Sequence, residues 1–163
     1  MINKNDLNEY FFSGIKHKKN LKIGVEHEKF VLDKDSFFPR SYDENNGIRD
    51  ILVKLSSAGW TPNYDDNQKT IIALSRDRES ITLEPGGQME LSGAPLDNIH
   101  ETCEETTNHL KELKKLGEEF NFILLGMGVE PNLMLDDFPW MPKQRYKIMK
   151  EYMKRVGTLG QHM

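Results

Sequence analysis

The chain of 163 residues has one cysteine, Cys103. A single thiol closes no intrachain disulfide, so packing must hold the fold and no oxidising compartment is required. Long apolar runs are missing as well. Nothing approaches the roughly 20 apolar residues of a membrane span, and the opening MINKNDLNEY lacks the apolar centre of a secretory signal. Positive charge is scarce: the net charge is −4, which leaves no electrostatic footprint for nucleic acid. The short run Lys16, His17, Lys18, Lys19 reads as a solvated loop. A P-loop, a dinucleotide fingerprint and a nucleophile motif are absent too, and Gly86-Gly87 is too short to claim phosphate binding. These absences lead to the expectation of a cytoplasmic protein that handles neither membrane nor nucleic acid.

What is present suits a packed domain. Hydrophobic residues make up 37% and charged residues 29%, which is globular composition rather than that of a disordered chain. The length fits one domain over residues 1–163 rather than two. Residues 5–15 predict a helix capped by Asn5 or Asp6, with Leu7, Tyr10 and Phe11 on one stripe. Residues 21–32 predict a strand. Ile48, Ile51, Leu52 and Leu55 keep helical spacing up to a stop at Gly59. TIIALS (70–75) and SITLE (80–84) predict a hairpin around RDRE, and PGG turns the chain into QMELSG.

Pro95 marks the start of a long helix whose buried stripe is Leu96, Ile99, Cys103, Thr106, Leu110, Leu113 and Leu116. FILLGMGV (122–129) predicts a buried strand, and a last helix near 143–155 follows Pro142. Hairpin strands with helices between them predict an α+β fold with a mainly antiparallel sheet.

The chemistry concentrates in two acidic stretches. In GVEHEKF (24–30), a strand places Glu26 and Glu28 on one face, roughly 6–7 Å apart, where like charges repel and something positive belongs between them. In SITLEPGGQMELSG, Glu84 and Glu90 flank the Gly-Gly turn among Ile81, Leu83, Met89 and Leu91. If the two stretches share a sheet, the four carboxylates converge, and with no cysteine pair and no HxxxH spacing they suit a hard divalent cation, Mg²⁺ or Mn²⁺. The competing reading leaves each Glu on the solvent face of an amphipathic strand. His27, on the opposite face, reads as a satisfied core histidine, and Cys103 as core. Lys143, Arg145, Lys147 and Lys150 give the last helix a basic face beside Trp140 and Tyr146, either solvated or able to take a carboxylate or phosphate.

GVEHEKF, Gly59-Trp60, SITLEPGGQMELSGAPL (80–96), HETCEE (100–105) and PWMPKQRYKIMKEYM (139–153) followed by VGTLG together resemble the glutamate–cysteine ligase family, in its plant and proteobacterial branch. The resemblance covers the chain from about residue 20 onward. It implies an enzyme that joins the γ-carboxylate of glutamate to the amine of cysteine with ATP and magnesium, through a γ-glutamyl phosphate, on an antiparallel sheet related to that of glutamine synthetase. It implies Glu26, Glu28 and Glu90 as metal ligands, Glu84 as a weaker one, and Gln88, Arg145, Tyr146 and Trp140 near the amino-acid substrates, with no catalytic acid or base assigned. Family members are much longer. The resemblance therefore implies the N-terminal part of one catalytic domain, with the remainder missing and the chain inert by itself. A related ligase acting on another amine, or a binding module without catalysis, are the alternatives.

Overall fold

A computed structural model of the chain describes residues 2–160. Six strands, β1 (Glu26–Asp33), β2 (Thr61–Tyr64), β3 (Ile71–Arg76), β4 (Glu79–Leu83), β5 (Gln88–Ser92) and β6 (Phe122–Leu125), are interleaved with four α-helices. These are α1 (Lys4–Ser13), α2 (Ile48–Ser57), α3 (Ile99–Phe120) and α4 (Gln144–Val156). The strands form one sheet in the order β2-β3-β4-β5-β1-β6, antiparallel at every pairing. The chain thus has the expected α+β, antiparallel architecture.

Alternation sorts the sheet into two unlike faces. Val31, Leu74, Ile81, Leu83, Met89 and Leu91 are fully buried on one face. The fully buried stripe of α2, Ile48, Ile51, Leu52 and Leu55, joins the same core with Leu113 and Leu116 of α3. Each such side chain contributes about 1.5–3 kcal/mol, so this face carries most of the stability. The other face carries Glu26, Glu28, Thr82, Gln88, Glu90 and Ser92, as the pairings Glu26↔Ser92, Glu28↔Glu90 and Thr82↔Glu90 require.

Several local expectations are corrected. Helix α1 is capped by Asn3, not Asn5 or Asp6: the Asn3 side chain accepts from the Asn5 and Asp6 amides, and Asp6 returns the bond. No α1 residue is buried, so Leu7, Tyr10 and Phe11 form no core stripe. Helix α3 starts four residues after Pro95, at Ile99, because Asn98 caps it while Leu96 pairs with Ile23. Its buried face is Thr102, His109, Leu113, Leu116 and Gly117, which holds a steadier 3.6-residue period than the apolar residues alone. Ile99 and Cys103 are therefore exposed rather than core. Strand β2, TPNY, has no apolar alternation and escaped the sequence reading. It holds the edge of the sheet, where Pro62 is tolerated.

His109 is 1% exposed, and neither ring nitrogen has a partner. Burial, with Lys29, His27 and Arg76 nearby, pushes its pKa down from 6.5 to about 3. The native state therefore demands a neutral ring, while the unfolded chain accepts a proton below its ordinary pKa. His109 is thus a source of acid sensitivity: stability is full above pH 6.5 and falls as the pH drops from 6.5 toward about 3. His109→Phe is expected to flatten that acid limb, measured as urea midpoints between pH 7 and pH 4. An unchanged slope would assign the acid loss to other groups.

A Cβ on Gly117 would stand 2.6 Å from the Phe122 carbonyl oxygen, which is backbone and cannot step aside. Gly117→Ala is expected to cost about 1–3 kcal/mol in urea denaturation. Gly128→Ala, with nothing within 4 Å, serves as its control.

Candidate active site

The β1–β5 ladder sets Glu28 directly opposite Glu90 and Glu26 opposite Ser92, all on the polar face. Cross-strand partners have Cβ atoms only about 4.5–5.5 Å apart. The Glu28 carboxyl titrates above its ordinary value, first from partial burial and then from the charges of Glu90, Glu84 and Glu26. Glu90 is 9% exposed, and its two oxygens accept from hydroxyls: Oε2 from Thr82 Oγ1 at 3.0 Å and Oε1 from Ser92 Oγ at 2.9 Å. Glu28 thus feels the charge of all three other carboxylates. Among the described residues, however, no three His, Cys, Asp or Glu side chains gather closely enough to hold a metal ion.

Glu84 has a different neighbourhood from the other three. Its Oε1 lies 3.5 Å from Arg145, and its Oε2 lies 3.2 Å from the Tyr146 hydroxyl. Tyr146 is 1% exposed, with its hydroxyl 2.6 Å from the Leu83 carbonyl and accepting from Arg145 at 2.9 Å. Burial pushes the phenol up to about 12, so it stays a donor. Lys143, the N-cap residue of α4, donates to the same Leu83 carbonyl at 2.6 Å. Burial lowers its pKa, while Glu84 and Glu90 pull it back up. The first turn of α4 therefore brings two cations and a phenol onto the Glu84 end of the polar face.

The turn between β4 and β5 permits this docking. Gly86 and Gly87 have φ of 82° and 84°, in the left-handed region that suits glycine. A Cβ on Gly86 would stand 3.0 Å from the Phe138 ring, and one on Gly87 3.4 Å from Pro139. Gln88 follows, 7% exposed, and donates to the Met127 carbonyl at 3.4 Å. Trp140 is half-buried with Nε1 unpartnered, and the Lys150 ammonium stands 5.1 Å over its ring. The structure thus brings Glu26, Glu28, Glu84, Glu90, Gln88, Arg145 and Tyr146 to one side of the sheet, with Trp140 on a neighbouring wall.

Sequence reasoning missed the role of Lys29. It is 1% exposed on the helix face, and its ammonium donates to the His27 carbonyl at 2.5 Å. Burial drags its pKa to about 8 against the pull of Glu90 and Glu28. The available signal was its place two residues before Val31, which puts it on the same strand face as that buried residue. His27 is not the satisfied core residue expected, because its Nδ1 has no partner.

A family model for glutamate–cysteine ligase family 2 matches residues 22–163. The chain belongs to that family. It is 47% identical over 163 residues to glutamate–cysteine ligase B, chloroplastic, of Oryza sativa subsp. japonica, covering 99% of this chain and 32% of that protein. It is 42% identical over 162 residues to the chloroplastic glutamate–cysteine ligases of Brassica juncea and Arabidopsis thaliana, covering 99% of this chain and 31% and 30% of theirs. The chain therefore spans about a third of the length of these relatives.

These names overturn the cytoplasmic expectation, since each of these relatives is called chloroplastic. The expectation rested on a missing apolar leader, and organelle transit segments are amphipathic rather than apolar. Among the described residues no helix is long and apolar enough to cross a membrane.

In this ligase-family sheet the Glu28 charge is disfavoured by its surroundings. An acid whose folded pKa is raised subtracts stability as the pH climbs above the ordinary carboxylate range. With a chelator present, Glu28→Gln is expected to raise the urea midpoint at pH 7, and the gain should vanish near pH 4. A midpoint lowered at pH 7 would mean that the charge is compensated within the chain.

Proposed function

We propose that the chain supplies the cation-binding sheet face of an ATP-dependent glutamate–cysteine ligase. The supporting observation is the register of Glu28 against Glu90, with Glu26 on the same face. An all-carboxylate donor set on rigid strands fits a hard cation, Mg²⁺ or Mn²⁺. Glu28 and Glu90 would hold it, with Glu26 further along the same face and phosphate oxygens and water completing its shell. Glu84 fits less well, because it already faces the Arg145 cation, whereas the partners of Glu90 are neutral hydroxyls. When bound, such an ion neutralises charge on ATP phosphates during phosphoryl transfer to the glutamate γ-carboxylate.

The chain's own groups do the positioning. Thr82 and Ser92 fix the Glu90 carboxylate from both sides, so its orientation does not depend on the ion. Arg145, 61% exposed in its side chain, keeps N–H groups beyond those turned to Tyr146 and Glu84, with which it would meet the carboxylate of a bound glutamate. Tyr146, locked on Leu83, holds the start of α4 against the sheet so that this contact falls beside the carboxylate face. Gln88 adds an amide on the same face. Cysteine supplies the attacking amine, and water must be kept from the activated γ-carboxylate, since hydrolysis competes with the amine.

Manganese titration of the chain, followed by water-proton relaxation, tests the reading without requiring turnover. Glu28→Gln and Glu90→Gln are each expected to weaken binding by about tenfold or more, and Glu84→Gln by much less. Affinity equal to the parent chain in both Glu28→Gln and Glu90→Gln would remove these residues as ligands and the reading with them.

A further inference from the structure

Lys29 of β1 is 1% exposed on the helix side of the sheet, on the same face as the buried Val31 and opposite the buried Met89. Its ammonium donates to the His27 carbonyl, and no carboxylate forms an ion pair with it among the described residues. A buried ammonium held by a carbonyl alone is costly. The nearby ring of His109 is held neutral and offers no opposite charge.

The opposite charge lies through the sheet. Glu28 adjoins Lys29 in β1, and Glu90 adjoins its partner Met89 in β5, so the Glu28–Glu90 pair occupies the next rung of the ladder, turned to the polar face. Only the backbone of the two strands separates the cation from the pair, and the helix side is buried, so the field between them is weakly screened. The coupling is mutual. Glu90 and Glu28 both favour the charged ammonium, and Lys29 favours the Glu28 carboxylate, which Glu90, Glu84 and Glu26 all disfavour.

We propose that Lys29 is the counter-charge of the Glu28–Glu90 pair, acting through the sheet, and that it limits how tightly this face takes a cation. It favours the ionised carboxylates without occupying the space between them. The same charge repels a divalent ion that does occupy that space, so the ion is held more loosely than the carboxylates alone would hold it. The counter-charge stands on the sheet geometry, whereas its effect on a bound ion rests on the ligation reading above.

Three variants test this. Lys29→Met keeps the length of the side chain, Lys29→Gln keeps a donor for the His27 carbonyl, and Lys29→Arg keeps the charge. Urea midpoints at pH 7, with a chelator present, establish which of them fold and complete a double-mutant cycle with Glu28→Gln. The gain in midpoint from Glu28→Gln is expected to be larger in a neutral background than in the parent, because the carboxylate there has lost its counter-charge. Manganese titration by water-proton relaxation is expected to show affinity tightened about fivefold or more in the neutral variants, the direction a lost unit charge imposes on a divalent ion across a strand. Lys29→Arg is expected to match the parent. A residue that merely packs would leave affinity unchanged or weaken it. Equal Glu28→Gln gains in both backgrounds overturn the counter-charge. So does failure of both neutral variants to fold, which would make Lys29 a structural residue. Affinity unchanged or weakened in every neutral variant that folds overturns the limit on the ion. If the parent binds no manganese, the ligation reading falls and the limit on the ion with it, while the metal-free cycle still decides the counter-charge.

Discussion

Two carboxylates meeting across a β-ladder are the constraint around which the polar face of this sheet is organised. Glu28 and Glu90 are register partners, and no choice of rotamer takes them far from each other's field. A fold that accepts this repulsion must hold it against an unrelated source of stability. Here that source is the opposite face, where α2, α3 and four strands bury Ile, Leu and Met side chains completely. Glu28 and Glu90 are free to repel because the helices, not the polar face, keep the strands together.

Within the chain, positive charge approaches the pair from two directions. Lys29 lies behind the sheet with its ammonium out of water, held by one carbonyl. Burial outweighs the attraction of Glu28 and Glu90 there, since its pKa is driven down to about 8 rather than up. Lys143 and Arg145 approach from α4 but spend their contacts on Leu83, Tyr146 and Glu84. Neither direction places a cation between Glu28 and Glu90, and Glu28 registers the deficit as a raised pKa. The imbalance left over is of the sign that a bound cation would offset.

Strands β4 and β5 were legible because each alternates polar and apolar residues beside the Gly-Gly turn, and β1 and β3 because each carries a short apolar run. That Glu26 and Glu28 share a face followed from the period of two, while the place of Glu90 beside them needed the β1–β5 register. Strand β2 was not legible, because TPNY gains its identity only by pairing with β3 at an edge. The α3 stripe was misread by following apolar residues instead of the helical period: Thr102 and His109 are buried while Cys103 and Ile99 are not. Helix α1 shows the opposite failure, with an apolar stripe that meets nothing in the chain.

The two longest motifs, LEPGGQMELSG and PWMPKQRYKIM, make physical sense as a single unit. The positive φ of Gly86 and Gly87 leaves the turn without side chains, and Phe138, Pro139 and Met141 close into the space. That closure carries α4 inward, where Tyr146 and Lys143 seat on the Leu83 carbonyl just before the turn. Arg145 thereby reaches Glu84 on one side, while Met149 and Lys150, a turn further along α4, line a cavity beside Pro85 and Gly86 on the other. A side chain added at Gly86 would push Phe138 away, and would disturb the carboxylate face and the cavity together. Both motifs depend on the same bare turn, so neither can be read apart from the other.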